Sequence, residues 1–212
     1  IDYGSQYTQL IARRIREQNV YCEIHSFNKV TNYLIINLNP SGIILSGGPN
    51  SVLNKTSPKI PKSIIKTNIP ILGICYGLQL LALSNKGKIK KSLSREYGHA
   101  KIKVLSKSKI IPKDWFKQNI NVWMSHGDHV SDAPKGFKVT AISNNKIISV
   151  IENHKKNIFG LQFHPEVHHT YLGYKIIENF IFKICNVKKN WIMESFIKAK
   201  ILELKNLIGE HN

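Results

Sequence analysis

A cysteine flanked by two glycines is the first feature of this sequence that could carry out chemistry. In Gly73-Ile74-Cys75-Tyr76-Gly77, the cysteine occupies the nucleophile position of a G-x-nucleophile-x-G pattern. The pattern predicts a sharp strand-to-helix turn that holds the side chain in the open, with a helix N-terminus favouring the thiolate. We therefore predict that Cys75 is a catalytic nucleophile. The alternative, a small buried hydrophobic residue, better fits Cys22 and Cys185.

A thiol nucleophile needs a base, usually a histidine that a third group holds in place. His164-Pro165-Glu166 follows the apolar run Ile158 to Gln162, and in an extended segment residues i and i+2 point to the same side. Glu166 could then fix the tautomer of His164. The sequence has 9 histidines, so other histidines compete for this role. His164 is preferred because it ends a predicted strand and has a carboxylate two residues later.

The third chemical feature is the Gly pair in Ser46-Gly47-Gly48-Pro49. Acyl transfer builds negative charge on a carbonyl oxygen, and main-chain amides aimed at that oxygen stabilise it. A glycine pair at the end of a strand lets its amides approach a ligand closely. The amide of Tyr76, just after the nucleophile, is the expected second donor. The alternative is an ordinary turn that ends the strand.

Short apolar runs rich in Ile and Val must position these residues, and they are typical of buried parallel strands. Strands alternate with helices in the first half, whereas the second half indicates strands joined by short polar turns, some of them antiparallel. The predicted strands are Val20 to Ile24, Gly42 to Ser46, Ile69 to Ile74, Lys101 to Leu105, Asn121 to Met124, Phe137 to Ile142, Ile147 to Ile151 and Ile158 to Gln162. The predicted helices follow Ser5 and Cys75 and cover Gly173 to Cys185 and about Trp191 to Ile208.

Composition limits the classes of function. The chain has 212 residues, enough for one sizeable domain, and no apolar run approaches the roughly 20 residues that a membrane span needs. Its net charge of +18 could indicate nucleic-acid binding, but the lysines are scattered and no nucleic-acid-reading motif accompanies them. Three cysteines indicate neither a disulfide framework nor a zinc site and fit a reducing cytosol. We therefore predict a cytoplasmic protein without a metal, a nucleic acid or a membrane as partner.

The three chemical features together resemble the class I, or triad, glutamine amidotransferases. Gly73 to Gly77 is similar to the nucleophile turn of that family, Ser46 to Pro49 to its oxyanion loop, and His164 to Glu166 to its base and orienting acid. Longer stretches resemble the amidotransferase domains of the GMP synthase family. These stretches are Asp2 to Arg14, Ser41 to Pro49, Arg95 to Gly98, Val122 to Asp128 and Phe163 to Thr170. Phe180 to Gly209 resembles the helical link that joins this domain to the ATP-pyrophosphatase domain in that family.

The resemblance implies a fold and a set of roles. The fold is α/β and flavodoxin-like, an open, mostly parallel sheet with helices on both faces and a smaller antiparallel portion. Glutamine is the implied substrate, cut to glutamate and ammonia through a cysteine thioester. The implied site consists of a triad (Cys75, His164, Glu166), an oxyanion hole (Gly48, Tyr76) and groups that hold the amino-acid end of glutamine (Gln79, Ser125, His126, Gly127).

The resemblance also implies a larger enzyme. Residues 1–187 would form the amidotransferase domain with a truncated first strand, and residues 188–212 a helical linker toward an ATP-pyrophosphatase domain that this sequence lacks. No cofactor is expected in this chain, whereas that domain would use ATP and Mg²⁺ to convert XMP to GMP. The synthetase domain, in cis or in trans, is the expected partner, with a homodimer formed through absent C-terminal regions. Arg13, Arg14, Arg16 and His168-His169 could contact that domain or form a solvated basic surface.

Two rival functions remain open from the sequence. One is an amidotransferase that serves another synthase, or a free γ-glutamyl hydrolase; Arg95 to Gly98 and Val167 to Thr170 argue against it. The other is a non-catalytic basic module that binds nucleic acid, which would show steeply salt-dependent binding.

Overall fold

The structure, a computed structural model, describes residues 1–65, 67–189, 191–192, 197 and 201, and the main chain alone of residues 92–95. Within these residues one mixed sheet has seven strands. They are β1 (Ile43–Leu45), β2 (Ile71–Ile74), β3 (Lys88–Val104), β4 (Asn119–Asp132), β5 (Lys138–Ser143), β6 (Ile148–Asn153) and β7 (Ile158–Leu161). The α-helices are α1 (Thr8–Arg16), α2 (Asn32–Leu38), α3 (Lys62–Ile65), α4 (Tyr76–Ser84) and α5 (Tyr174–Asn179), and α5 continues as a π-helix over Phe180–Ile184. Two short 3₁₀ helices cover Phe27–Lys29 and Lys113–Trp115.

The parallel part of the sheet brings the chemical motifs to one edge. The strand order is β1-β2-β7-β6-β5-β3-β4, and β1, β2 and β7 run parallel to one another. Gly73 pairs with Leu45 on one side and with Gly160 on the other. The carboxyl ends of the three strands therefore lie side by side. The Gly-rich loop, the cysteine turn and the histidine segment begin at these ends, where ligands of open α/β sheets bind.

The antiparallel part is larger than the sequence indicated. β7, β6, β5, β3 and β4 follow one another through four antiparallel pairings. Most of the difference comes from β3 and β4, which form a long two-stranded ribbon with register shifts near Lys88 and between Lys91 and Glu96. Polar and charged residues interrupt the apolar pattern in both strands, so the sequence indicated only the C-terminal end of β3 and part of the first half of β4. The α/β class and the helices on both faces are confirmed.

Alternate residues of β2 show how the helices cover the two faces. Leu72 and Ile74 pack in one cluster with Ile11 of α1 and Ile176 of α5. Ile71 faces the other way and packs in a second cluster that contains residues of α2, α3 and α4. This alternation is the period of two that a strand imposes on its side chains. The central strand is therefore buried on both faces, as its continuous apolar sequence predicts.

The structure differs from the expectation in the segment that follows the first helix. The strand predicted for Val20 to Ile24 is wrong, because these residues have no strand pairing; a single parallel bridge joins Asp2 to Ser26, two residues after this segment. Ile1 runs beside β1, with its ammonium donating to the carbonyl of Ile44 over 2.7 Å. The helix predicted from about Trp191 falls almost entirely outside the described residues. In the part of the chain that the structure describes, no helix is long and apolar enough to cross a membrane.

Candidate active site

The turn between β2 and α4 holds Cys75 in an unusual backbone conformation. Its φ of 53° and ψ of −104° place a non-glycine residue in a region that L-amino acids rarely occupy. Gly73 and Gly77 make this turn possible, because a Cβ atom on Gly73 would lie 2.5 Å from the carbonyl carbon of Gly77. A Cβ atom on Gly77 would lie 2.8 Å from the Cβ atom of Leu45. The strand and helix can therefore pack this closely only with glycine at both positions.

The thiol of Cys75 is buried, not open as the motif suggested: the residue is only 4% exposed. Its sulfur nevertheless has polar neighbours. Sγ lies 3.4 Å from the carbonyl oxygen of Ser125, to which the thiol can donate, and 3.8 Å from Nε2 of Gln162. Cys75 also lines a cavity of about 720 Å³ together with His164. The thiol thus lies at a polar cavity wall, although apolar side chains pack behind it.

His164 and Glu166 form a buried pair at the same cavity. Nδ1 of His164 lies 2.7 Å from Oε1 of Glu166, and the two residues are 3% and 1% exposed. Burial lowers the pKa of His164, but the Glu166 carboxylate and a hydrogen bond with Cys75 outweigh it and raise that pKa to about 10. His164 is therefore an imidazolium at neutral pH, with a carboxylate on one nitrogen and the cysteine as its other partner.

Several main-chain contacts fix the segment that carries this pair. The amide of His164 donates to the carbonyl of Trp123 over 2.9 Å, and its own carbonyl accepts from the hydroxyl of Thr170 over 2.6 Å. The amide of Trp123 donates to the same Thr170 hydroxyl over 3.0 Å. Nε of Arg14 donates to the carbonyl of Glu166 over 3.0 Å. The base segment is thus tied to β4 on one side and to α1 on the other.

The Gly-rich loop after β1 packs directly against the reactive residues. A Cβ atom on Gly47 would lie 3.1 Å from Cε1 of His164 and 3.7 Å from Cβ of Cys75. A Cβ atom on Gly48 would lie 2.8 Å from the carbonyl oxygen of Tyr3 and 3.5 Å from the ring of Tyr76. Glycine is therefore required at position 48, and a side chain at position 47 would make the His164 ring shift. Tyr76 is the first residue of α4, where the main-chain amide has no acceptor within the helix.

The four residues that the resemblance assigned to glutamine binding line the same cavity as Cys75: Gln79, Ser125, His126 and Gly127. Gln79 is 3% exposed, so its side chain is buried although it lies on a helix. Its Nε2 donates to the carbonyl of Asp128 over 2.7 Å. Ser125, His126 and Gly127 lie within β4 and not in a turn. Polar residues crowd this part of β4 because it forms the wall of a cavity.

Sequence reasoning assigned no role to Glu96 or Gln162 at this site. Oε2 of Glu96 lies 3.1 Å from Nε2 of His126, and both side chains are buried. Ser143 and Asn145 donate to the other Glu96 oxygen. Glu96 lies far from His126 in sequence, and only the pairing of β3 with β4 brings the two together. Gln162 lies two residues before His164, so the alternation that links His164 to Glu166 could have indicated it too.

The basic residues considered for domain contacts lie in different surroundings. Arg13 and Arg14 pair with Glu17, and Arg16 donates to the carbonyl of Cys22. The rings of His168 and His169 lie 3.7 Å apart by their centroids, and that of His169 stacks on Trp123 at 4.4 Å. Among the side chains that the structure describes, no group of three or more His, Cys, Asp or Glu residues could hold a metal ion. Cys22, Cys75 and Cys185 are all free thiols.

Comparison with known proteins shows the family of this chain. The model of the glutamine amidotransferase class-I family matches residues 1–184. The glutamine-hydrolyzing GMP synthase of Brachyspira hyodysenteriae is 48% identical over 212 residues, 100% of this chain and 41% of that protein. That of Thermosipho africanus is 47% identical over 211 residues, 99% of this chain and 40% of that protein. The chain thus spans about two fifths of the length of these curated relatives.

Solved structures give the same result. The crystal structure of a protein described as a GMP synthase subunit, from Thermoplasma acidophilum, superimposes with a TM-score of 0.75 at 30% sequence identity. The alignment covers 88% of this chain and 92% of that one. A glutamine amidotransferase from Methylobacillus flagellatus, 17% identical with a TM-score of 0.61, shares the fold. Given the match of the family model over residues 1–184, this chain belongs to the class-I glutamine amidotransferase family.

Proposed function

We propose that this chain hydrolyses glutamine to glutamate and ammonia as the amidotransferase part of a GMP synthase. The observation that supports this most directly is the buried His164–Glu166 hydrogen bond of 2.7 Å on the wall of the cavity that Cys75 also lines. The similarity to the GMP synthases over the whole chain favours this family of synthases over other amidotransferases and over free γ-glutamyl hydrolases. Family membership argues against a non-catalytic basic module.

In the proposed reaction, the Cys75 thiolate attacks the side-chain amide carbon of glutamine. The main-chain amides of Gly48 and Tyr76 hold the oxyanion. The C–N bond then breaks as His164, oriented by Glu166, gives its proton to the leaving nitrogen, and ammonia departs. Water attacks the thioester, the now neutral His164 takes the proton of that water, and the C–S bond breaks. Glutamate leaves, and the thiolate and the imidazolium are restored.

The cavity offers groups for the amino-acid end of glutamine. We assign this end to Gln79 and to the segment Ser125 to Gly127, which line the cavity beside Cys75. Asp128 and Lys91 also line it and supply one charge of each sign, as an α-ammonium and an α-carboxylate would require. Recognition of both charges would place the side-chain amide of glutamine near the sulfur.

In the complete enzyme, the ammonia would react with XMP that a synthetase domain activates with ATP and Mg²⁺. That domain would be the main partner of this chain, and we propose that residues 188–212 form a helical link toward it. The proposed amidotransferase domain covers residues 1–187. A cytoplasmic enzyme that dimerises through regions outside these 212 residues would fit this arrangement.

The test is ammonia release from glutamine in the complete enzyme, with XMP, ATP and Mg²⁺ supplied. Cys75→Ala should abolish glutamine-dependent GMP formation but leave GMP formation from added ammonia intact. Cys185→Ala, at a cysteine remote from the cavity, is the matched control and should keep both activities. Glutamine-dependent turnover that survives in Cys75→Ala would refute the proposal.

A further inference from the structure

Gln162 is a further side chain in contact with the nucleophile Cys75. The proposed reaction gives Gln162 no role. Its side chain is fully buried, with an exposed fraction of 0%. Nε2 of Gln162 lies 3.8 Å from Sγ of Cys75, within the range of an N–H···S hydrogen bond. A buried amide group generally has partners for both of its ends. The sulfur of Cys75 is therefore expected to be one of the hydrogen-bond partners of the buried Gln162 amide.

The orientation of this amide is fixed at its other end. Nε2 of Gln79 donates to the carbonyl of Asp128 over 2.7 Å and lies 3.5 Å from Oε1 of Gln162. Reversing the amide of Gln162 would turn its NH₂ group toward the NH₂ group of Gln79, and neither of these can accept a hydrogen bond. The main-chain amide of Gln162 also donates to the carbonyl of Ser149 over 2.9 Å. The N–H end must therefore face Cys75.

The sulfur needs such a donor because of its other neighbour. The carbonyl oxygen of Ser125 lies 3.4 Å from Sγ, and a carbonyl can accept from a thiol but cannot stabilise a thiolate. Hydrogen bonds to a charged acceptor are about twice as strong as those between neutral groups. In a buried site, where water cannot solvate the anion, an N–H donor therefore has a large effect on the balance between thiol and thiolate.

We propose that Gln162 holds the thiolate of Cys75 by donating its side-chain N–H to the sulfur, with Gln79 anchoring its oxygen. This assignment deepens the proposed function and depends on it, since it gives the nucleophile a second stabilising partner beside the imidazolium. It also links the nucleophile to the wall assigned to the amino-acid end of glutamine, because Gln79 belongs to both.

Alkylation of Cys75 by iodoacetamide tests this assignment without requiring glutamine to bind. The rate in the complete protein is followed by mass spectrometry of the peptide that contains Cys75, across the pH range in which thiols titrate. Gln162→Met keeps the length of the side chain but lacks the donor. Loss of a hydrogen bond to a charged group should slow alkylation by about tenfold at pH values below the midpoint of the profile. The midpoint of the pH profile should rise by about one pH unit, which follows from the same free energy.

Two further variants keep the test decisive. Gln118→Met makes the same change on the exposed surface and should leave the rate and the midpoint unchanged. Gln162→Leu also removes the donor, with a smaller apolar side chain, and should slow alkylation in the same direction. It decides the question if Gln162→Met does not fold, as judged by circular dichroism and thermal melting.

The outcomes separate this inference from the function on which it depends. Slower alkylation and a raised midpoint in a folded Gln162 variant support the assignment. A folded Gln162 variant with unchanged rate and midpoint overturns the assignment. In that case the proposed function still holds if the unmodified protein is labelled at Cys75 and hydrolyses glutamine. An unmodified protein that neither hydrolyses glutamine nor labels at Cys75 refutes the proposed function and this assignment together.

Discussion

Nδ1 of His164 lies 2.7 Å from Oε1 of Glu166, and neither side chain has appreciable contact with solvent. The two residues are only two positions apart, and the extended segment between them places both on one side. The carboxylate fixes which ring nitrogen faces Cys75 and keeps the ring charged. A charged ring can give a proton to the leaving nitrogen. The nitrogen can then depart as ammonia.

Replacing Glu166 by Gln tests this relationship. Burial opposes the charge on His164 and the Glu166 carboxylate favours it, so Glu166→Gln should lower the pKa of His164 and loosen its orientation. We expect kcat/KM for glutamine to fall by about 10²–10⁴-fold, the range of general acid–base catalysis. Ammonia-dependent GMP formation in the complete enzyme should not change.

Glu23→Gln is the matched control for that substitution. Glu23 forms the same i, i+2 pair with His25 at 2.9 Å, but on the surface and away from Cys75. It should keep glutamine turnover within about twofold, because exposed ion pairs contribute little. Equal losses in both variants would mean that the His164–Glu166 pair has no special role.

The charge on His164 should also make stability depend on pH. Its pKa is about 10 in the folded protein against an ordinary value of 6.5, so the folded state binds a proton that the unfolded state releases between these values. The stabilisation is complete below about pH 6.5 and disappears as the pH rises toward 10. The free energy of unfolding of the wild type, relative to His164→Gln, should therefore fall across this window in urea denaturation. A difference that stays constant with pH would contradict the assigned charge.

Gly77 should tolerate no side chain. A Cβ atom there would lie 2.8 Å from the Cβ atom of Leu45 and even closer to the Leu45 carbonyl oxygen, and main-chain atoms cannot move aside as a flexible side chain can. We expect Gly77→Ala to lower the free energy of unfolding by about 1–3 kcal/mol, as overpacking does, and to displace Cys75. Denaturant melts and the rate of Cys75 alkylation measure the two effects. Ser84→Ala, at the exposed end of the same helix, should change stability by less than about 0.5 kcal/mol.

The positions of the candidate triad could be predicted from the sequence more fully than the sheet. Cys75 and His164 follow short apolar strands that pair in parallel, and Glu166 lies two residues after His164, so local pattern was enough to expect all three close together. The ribbon of β3 and β4 has few apolar runs and depends on pairing between distant segments, so its extent could not be seen. For the same reason Glu96 was not connected with His126, which it contacts only through that pairing. The burial of Cys75 depends on β4 as well, since Ser125 covers the sulfur.

The most direct test of the account is a search for the acyl-enzyme. The complete protein is mixed with isotopically labelled glutamine, quenched in acid within the first turnover and digested for mass spectrometry. The proposed thioester mechanism predicts a labelled γ-glutamyl group on the peptide containing Cys75, absent in Cys75→Ala and lost after neutral hydroxylamine, which cleaves thioesters. Glutamine turnover with no label on Cys75, or with the label on another residue, would contradict it.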